Sequence, residues 1–171
     1  MPAFARSPTM YNRFIVALAW IGALLFVAAG LMLSWEVVAR YFFVRPTIWA
    51  AELSQLCLIW GSLIGMPWAL ATRRHIAVDA ITRLCSPTMQ RVLEILAMAV
   101  VGIFSVVVAW KGFGIFFESL ERGRTTGSML DLPTWISELP VFVGFALLAI
   151  QSLIEIIRVV MGREIPQGAH E

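Results

Sequence analysis

At 171 residues the chain has the length of one domain, but 60% of its residues are hydrophobic and 14% charged, with a mean hydropathy of +0.83, which is the composition of a membrane protein and not of a water-soluble domain. A net charge of +2, scattered along the chain, excludes a nucleic-acid binder, which concentrates basic residues on one face or tail. The two cysteines, Cys57 in an apolar run and Cys85 in a polar one, fall at different expected membrane depths and form neither a disulfide framework nor a Cys-rich metal motif.

The first uncharged run, Phe14 to Trp35, makes roughly 33 Å of helix at about 1.5 Å per residue, enough for a hydrocarbon core of about 30 Å. Arg6 and Arg13 before it would suit a secretory signal, but the run is long and "SWEVVARYF" follows in place of a small-residue cleavage site; a retained helix is expected. In "EVVARYFFVRPTIWAAE" Glu36 precedes Arg40 by four residues, the favourable order for a helical ion pair, before Pro46 interrupts the helix. Tyr41, Phe42, Phe43 and Trp49 read as interfacial aromatics.

The second span is expected over Leu53 to Thr72. Gly61, Gly65 and Ala69 recur at four-residue spacing, which lets another helix backbone come close. Gln55 and Ser62 lie near one another on the helix, and Glu52 lies on the far side from Gly61. Two different faces are thus not apolar, as expected of a helix surrounded by protein.

"ATRRHIAVD" then breaks the apolar run. Arg73 and Arg74 read as a topological pin among cytoplasmic headgroups, and Asp79 either orders this connection by pairing with Arg74, Arg83 or a partner, or stands solvated. Ala77, Ile81 and Leu84 share one helical face, so a short helix lying on the inner membrane surface is expected. Ser86 and Pro87 supply an N-cap and a first-turn proline for the next helix.

The third span runs from Ile95 to Trp110, and to Phe117 if Lys111 is tolerated, within a helix expected over 92–117. "ESLERGRTTGSMLDLP", with Gly123 and Gly127, reads as a mobile polar loop. Pro133 and Pro140 sit near the start of the fourth span, expected over 132–157, where a missing N–H costs least. Arg6, Arg13, Arg73, Arg74, Arg83, Arg91, Arg158 and Arg163 fall on one side of the membrane, against Arg40, Arg45, Lys111, Arg122 and Arg124 on the other. The positive-inside bias then places both termini in the cytoplasm. The expected fold is an all-α membrane protein, one four-helix domain over residues 1–171.

Membrane enzymes and proton-coupled carriers hold ionisable residues deep in the bilayer, and the middles of these four spans carry none. His75 and His170 are not placed to ligate a haem or a metal between helices, and no Gly-x-x-x-x-Gly-Lys sequence is present to cradle a nucleotide. Glu52 and Lys111 share the outer leaflet in this topology, so an interhelical salt bridge is expected, with Lys111 snorkelling alone as the alternative. A four-helix membrane protein with no catalytic constellation, no ion path and a helix shaped for packing is most economically a subunit that braces something larger. A stand-alone small carrier or channel, with a pore between protomers, is the competing class.

Three stretches, "WEVVARYFF", "IWAAELSQLCLIWGSLIGMPWALATRRHIAVDAI" and "LPTWISELPVFVGFALLAI", resemble the DctQ-type small membrane subunit of tripartite ATP-independent periplasmic (TRAP) transporters. They fall in that family's order and cover about Ser34 to Ile150; Trp49, Glu52, Gly65 and the "HIAVD" ending in Asp79 are the most specific matches. The resemblance implies a non-catalytic subunit of a bacterial inner membrane that scaffolds a large elevator-type membrane subunit and helps receive a periplasmic substrate-binding protein. The complex would import organic acids such as carboxylates on a sodium gradient, with substrate and sodium sites in the large subunit and no cofactor in this chain. Glu52, Gln55, Gly61, Gly65 and Lys111 are then candidates for helix packing or partner contact. Arg40, Arg45, Arg122, Arg124 and Asp131 are candidates for meeting the binding protein, where complementary charge would speed and orient the encounter.

Overall fold

The computed structural model describes residues 10–72 and 87–161; Arg73, Arg74, Asp79 and the expected surface helix around Ala77–Leu84 lie outside the described residues. The described residues form four helices long and apolar enough to cross a membrane: α1 (Met10–Phe42), α2 (Ala50–Ala71), α3 (Pro87–Arg122) and α4 (Trp135–Val160). Each follows from a long, largely apolar run, and Pro87 opens α3 as expected. At 33 and 36 residues, α1 and α3 are about 50 Å long, which exceeds a hydrocarbon core of about 30 Å and requires tilt or projection beyond it.

α1 and α3 outrun the expected spans because charged residues near their ends pair along the helix. Arg40 donates to Glu36 Oε1 at 2.6 Å, which carries α1 past Trp35, and Arg122 pairs with Glu118 at 2.9 Å, which carries α3 past Phe117.

Among the described residues the helix backbones pack in one row, in the order α1, α2, α4, α3. The chain is therefore two antiparallel hairpins, α1/α2 and α3/α4, joined through a parallel α2/α4 seam. In the first hairpin Ile15, Ala29 and Glu36 are buried at multiples of seven residues, with Gly22 completing the series, the repeat of a left-handed helix pair. A methyl group on Gly22 would lie 2.8 Å from the Gly61 carbonyl oxygen, and one on Gly61 3.0 Å from that of Gly22, so these backbones meet because neither residue has a side chain. In the second hairpin Gly102 backs onto Ser152, and Gly112 onto Val141. Phe104 meets Phe145 edge-on at 5.9 Å, and Phe113 meets Phe142 at 5.2 Å, aromatic contacts that add to burial.

The parallel seam uses two prolines. Pro140 has no N–H to give the carbonyl of Ile136 four residues earlier, and the Trp60 indole donates to that oxygen across the seam at 3.0 Å. Pro67 likewise leaves the Leu63 carbonyl without its helical donor, and that oxygen lies against Gly144, where an added methyl would be 2.8 Å away. Both prolines are buried inside their helices.

Candidate partner-binding surfaces

A row of helices leaves two broad faces uncovered, and their composition differs from helix to helix. α1 exposes Trp20, Leu24, Val27 and Leu31, and α3 exposes Leu96, Val100, Ile103, Val107 and Trp110, the bulky apolar surface that lipid tails cover. α2 exposes Ala51, Gln55, Leu58, Ser62 and Ala69 at alternating spacings of four, three, four and seven. Gly65 completes that stripe, with nothing within 4 Å of the position a methyl would take. The stripe is small and polar at the centre of the layer. Ser62 satisfies its hydroxyl on the Ile59 carbonyl at 3.0 Å, whereas the Gln55 amide has no hydrogen bond among the described residues.

The sequence pairs Gly61 with Gly65 as one packing motif, and the structure separates them. Gly61 serves contact within the chain, against α1; Gly65 turns to the open face. The expected Glu52–Lys111 bridge does not form. α4 stands between α2 and α3, so Glu52 and Lys111 are held apart by a helix. Lys111 is exposed, and Glu52 instead accepts the Ser128 hydroxyl at 2.7 Å and the Leu130 N–H at 3.4 Å.

That contact ties the α3/α4 connection to the start of α2, and the rest of the connection is equally determined. Thr126 N–H donates to the Leu132 carbonyl at 2.9 Å, Thr134 N–H to that of Arg124 at 3.0 Å and Asp131 N–H to that of Ser128 at 3.1 Å. Gly123 and Gly127 supply positive φ angles of 57° and 61°, which only glycine adopts without cost. Composition leads to the expectation of a mobile loop; the structure shows this loop carrying internal hydrogen bonds, because polar residues that signal solvent exposure also supply its donors.

Of the arginines proposed to meet another protein, three are already paired. Arg40 sits on Glu36, and Arg122 and Arg124 share Glu118 Oε1 at 2.9 and 3.1 Å. Arg45 and Asp131 are exposed at the same end of the layer. At the opposite end lies a group that sequence reasoning passed over: Gln151 donates to Glu155 Oε1 at 2.9 Å, and Arg158 donates to the same oxygen at 2.8 Å. Glu155 is 0% and Gln151 1% exposed, so this is a hydrogen-bonded group within α4, buried among packed helices, and not an interfacial charge. The spacing Gln151, Glu155, Arg158 was the available signal. Among the described residues no three His, Cys, Asp or Glu side chains converge as a metal site would require.

A layer of four membrane-length helices, with glycine and proline seams inside and an uncovered polar stripe on its central helix, defines an integral membrane protein of the subunit type. The family model of the DctQ component of tripartite ATP-independent periplasmic transporters matches residues 29–162, and the chain belongs to that family, whose members are non-catalytic transporter subunits. It is similar to the sialic acid TRAP transporter permease protein SiaT of Haemophilus influenzae, 24% identical over 139 residues that are 81% of this chain and 21% of that one. It also resembles the C4-dicarboxylate TRAP transporter small permease protein DctQ of Rhodobacter capsulatus, 23% identical over 62% of this chain and 46% of that one. A third relative is the isethionate TRAP transporter permease protein DctMQ of Oleidesulfovibrio alaskensis, 24% identical over 75% of this chain and 22% of that one. The chain thus spans between about a fifth and about half of the length of these curated relatives.

Proposed function

We propose that this chain is the small permease subunit of a TRAP transporter and acts as the stationary brace for a larger membrane subunit, with both termini in the cytoplasm of a bacterium and the layer in its inner membrane. The large subunit would carry the organic acid, a carboxylate or related anion, on a sodium gradient, after delivery by a substrate-binding protein on the outer side. The observation that carries this reading is the α2 stripe. A glutamine amide facing lipid is costly, and a helix bearing Gln55, Ser62, Gly65 and Ala69 on its open face accepts a neighbouring helix far better than it accepts lipid tails. Two relatives support it: each is named a TRAP transporter permease protein, and the segment matching this chain is only about a fifth of each.

The test is reconstitution in liposomes with and without the large subunit, together with a cross-linking series. Cysteines placed singly at Ser62 and Ala69, in a background with Cys57 and Cys85 replaced by serine, should cross-link to a partner helix; cysteines at Leu24 and Val107 should not. Uptake by the lone chain would overturn the brace reading and favour the stand-alone carrier.

A further inference from the structure

Both connections at the loop end of the layer, 43–49 between α1 and α2 and 123–134 between α3 and α4, contain the same device. Each is clamped by a glutamate on a neighbouring helix that accepts one hydroxyl and one backbone N–H. Glu36 Oε2 takes the Thr47 N–H at 2.8 Å and also the Thr47 hydroxyl; Glu52 takes the Ser128 hydroxyl and the Leu130 N–H. Each connection also holds one non-glycine residue in the left-handed region, Val44 at φ 51° and Asp131 at φ 50°, and among the described residues there are no others. A β-branched valine there is a true outlier. Such strain survives only where surrounding contacts over-determine the backbone, and it clusters at functional sites, where pre-organisation is one of its uses. The first connection has a second restraint, Arg45 N–H to the Ala39 carbonyl at 3.1 Å.

What the clamps hold out is exposed. Val44, itself one of the two strained residues, is 81% exposed, and Met129, two residues before Asp131, is 83% exposed, and Arg45, Ile48 and Asp131 stand beside them in the open. A surface fixed in advance loses less conformational freedom when a partner seats on it.

We propose that Glu36 and Glu52 are positioning residues that hold both connections in one shape, so that this end of the layer is presented ready-made to a water-soluble protein. The proposal rests on the reading above in one respect, that the partner is the substrate-binding protein of the transporter. The clamps contribute no contact themselves; they act through Val44, Arg45, Met129 and Asp131.

Two readouts test it in the complete complex. Spin labels on cysteines at Ile48 and Met129, in the background without Cys57 and Cys85, should give a narrow distance distribution that broadens in Glu52→Ala and Glu36→Ala. The half-saturating concentration of binding protein for uptake should rise roughly threefold to tenfold, the range set by re-ordering one or two segments on binding, while maximal rate and recovery of the complex stay unchanged. Ser128→Ala and Thr47→Val remove single hydroxyl donors without emptying a helix position, and should shift both readouts in the same direction to a smaller extent, even if the alanine variants fail to assemble. Distributions as narrow as the parent's in all four variants would overturn the clamps. Broadened distributions with unaltered half-saturation would overturn the positioning role and leave the brace reading intact. Failure of the brace reading shows separately, as uptake by the lone chain before any clamp is altered.

Discussion

Within the α1/α2 hairpin the closest approach is glycine to glycine, with Gly22 and Gly61 each leaving room for the other's carbonyl, whereas α2 and α4 meet through two carbonyls that Pro67 and Pro140 deprive of helical donors. The first kind of contact is non-directional, and it fixes how near two helices come without strongly fixing their sliding. The second is directional at Trp60 and Ile136 and therefore sets axial register. The two hairpins differ in freedom as well: among the described residues α1 packs its backbone against α2 alone, while α4 is held between α2 and α3. Equal steric insults in the two seams should then have unequal costs.

Gly144→Ala and Gly22→Ala provide that comparison, since either methyl would fall 2.8 Å from a carbonyl oxygen. At Gly144 the helix cannot retreat, and the Leu63 Cβ is as close as the oxygen. A loss of about 3 kcal/mol is expected, the upper end of ordinary overpacking, read as a fall in unfolding midpoint of the purified chain in mild detergent. At Gly22 α1 moves outward, and a loss of about 1 kcal/mol is expected. Equal losses would show that the flank of α1 is not free.

The next effect is the proline-dependent hydrogen bond. Trp60→Phe keeps most of the ring and removes the donor to Ile136, which should cost about 0.6 to 1 kcal/mol, in the range for interhelical hydrogen bonds in membranes. In a Pro140→Ala background the Ile136 carbonyl regains a donor from its own helix, so the cost of Trp60→Phe should fall towards that of the lost ring atoms alone. A double-mutant cycle on unfolding measures the difference; additive costs would mean that Pro140 does not create the acceptor.

The contrast between seams also explains what was legible in the sequence. Four spans are readable because each is a run of about twenty residues with almost no charge, and the helical pair Glu36–Arg40 is readable because its partners are four residues apart. Row order is not readable in the same way. Glu52 and Lys111 share a leaflet in the expected topology, and the leaflet was the only coordinate that topology supplied; that α4 lies between their helices depends on Trp60, Gly144 and two freed carbonyls, contacts made by residues distant in sequence. Pro140 was read as part of a helix start and Pro67 carried no reading at all, since a proline shows the acceptor it frees only once a donor is placed opposite. The clamp of Glu52 on Ser128 spans 76 residues, beyond any local pattern. Family resemblance was legible, and it too rested on local stretches in a fixed order.

The smallest effect on the isolated chain belongs to Gly65, and it bears on the open face. Glycine in a helix interior is less favourable than a larger residue by roughly 0.5–1 kcal/mol, and nothing lies within 4 Å of its missing methyl. Gly65→Leu should therefore leave the unfolding midpoint of the lone chain unchanged or slightly raised, unlike the substitutions in either seam. If lipid covers the stripe, the leucine is also harmless in the membrane, because it adds apolar surface to an apolar solvent. If a helix of the large subunit covers it, the leucine fills the space that the backbone of that helix needs, and co-purification of the large subunit should fall several-fold while the lone chain stays folded. Recovery of the large subunit at the parental level would assign the stripe to lipid and leave Gln55 as an amide facing lipid tails, the costly arrangement that the brace reading removes.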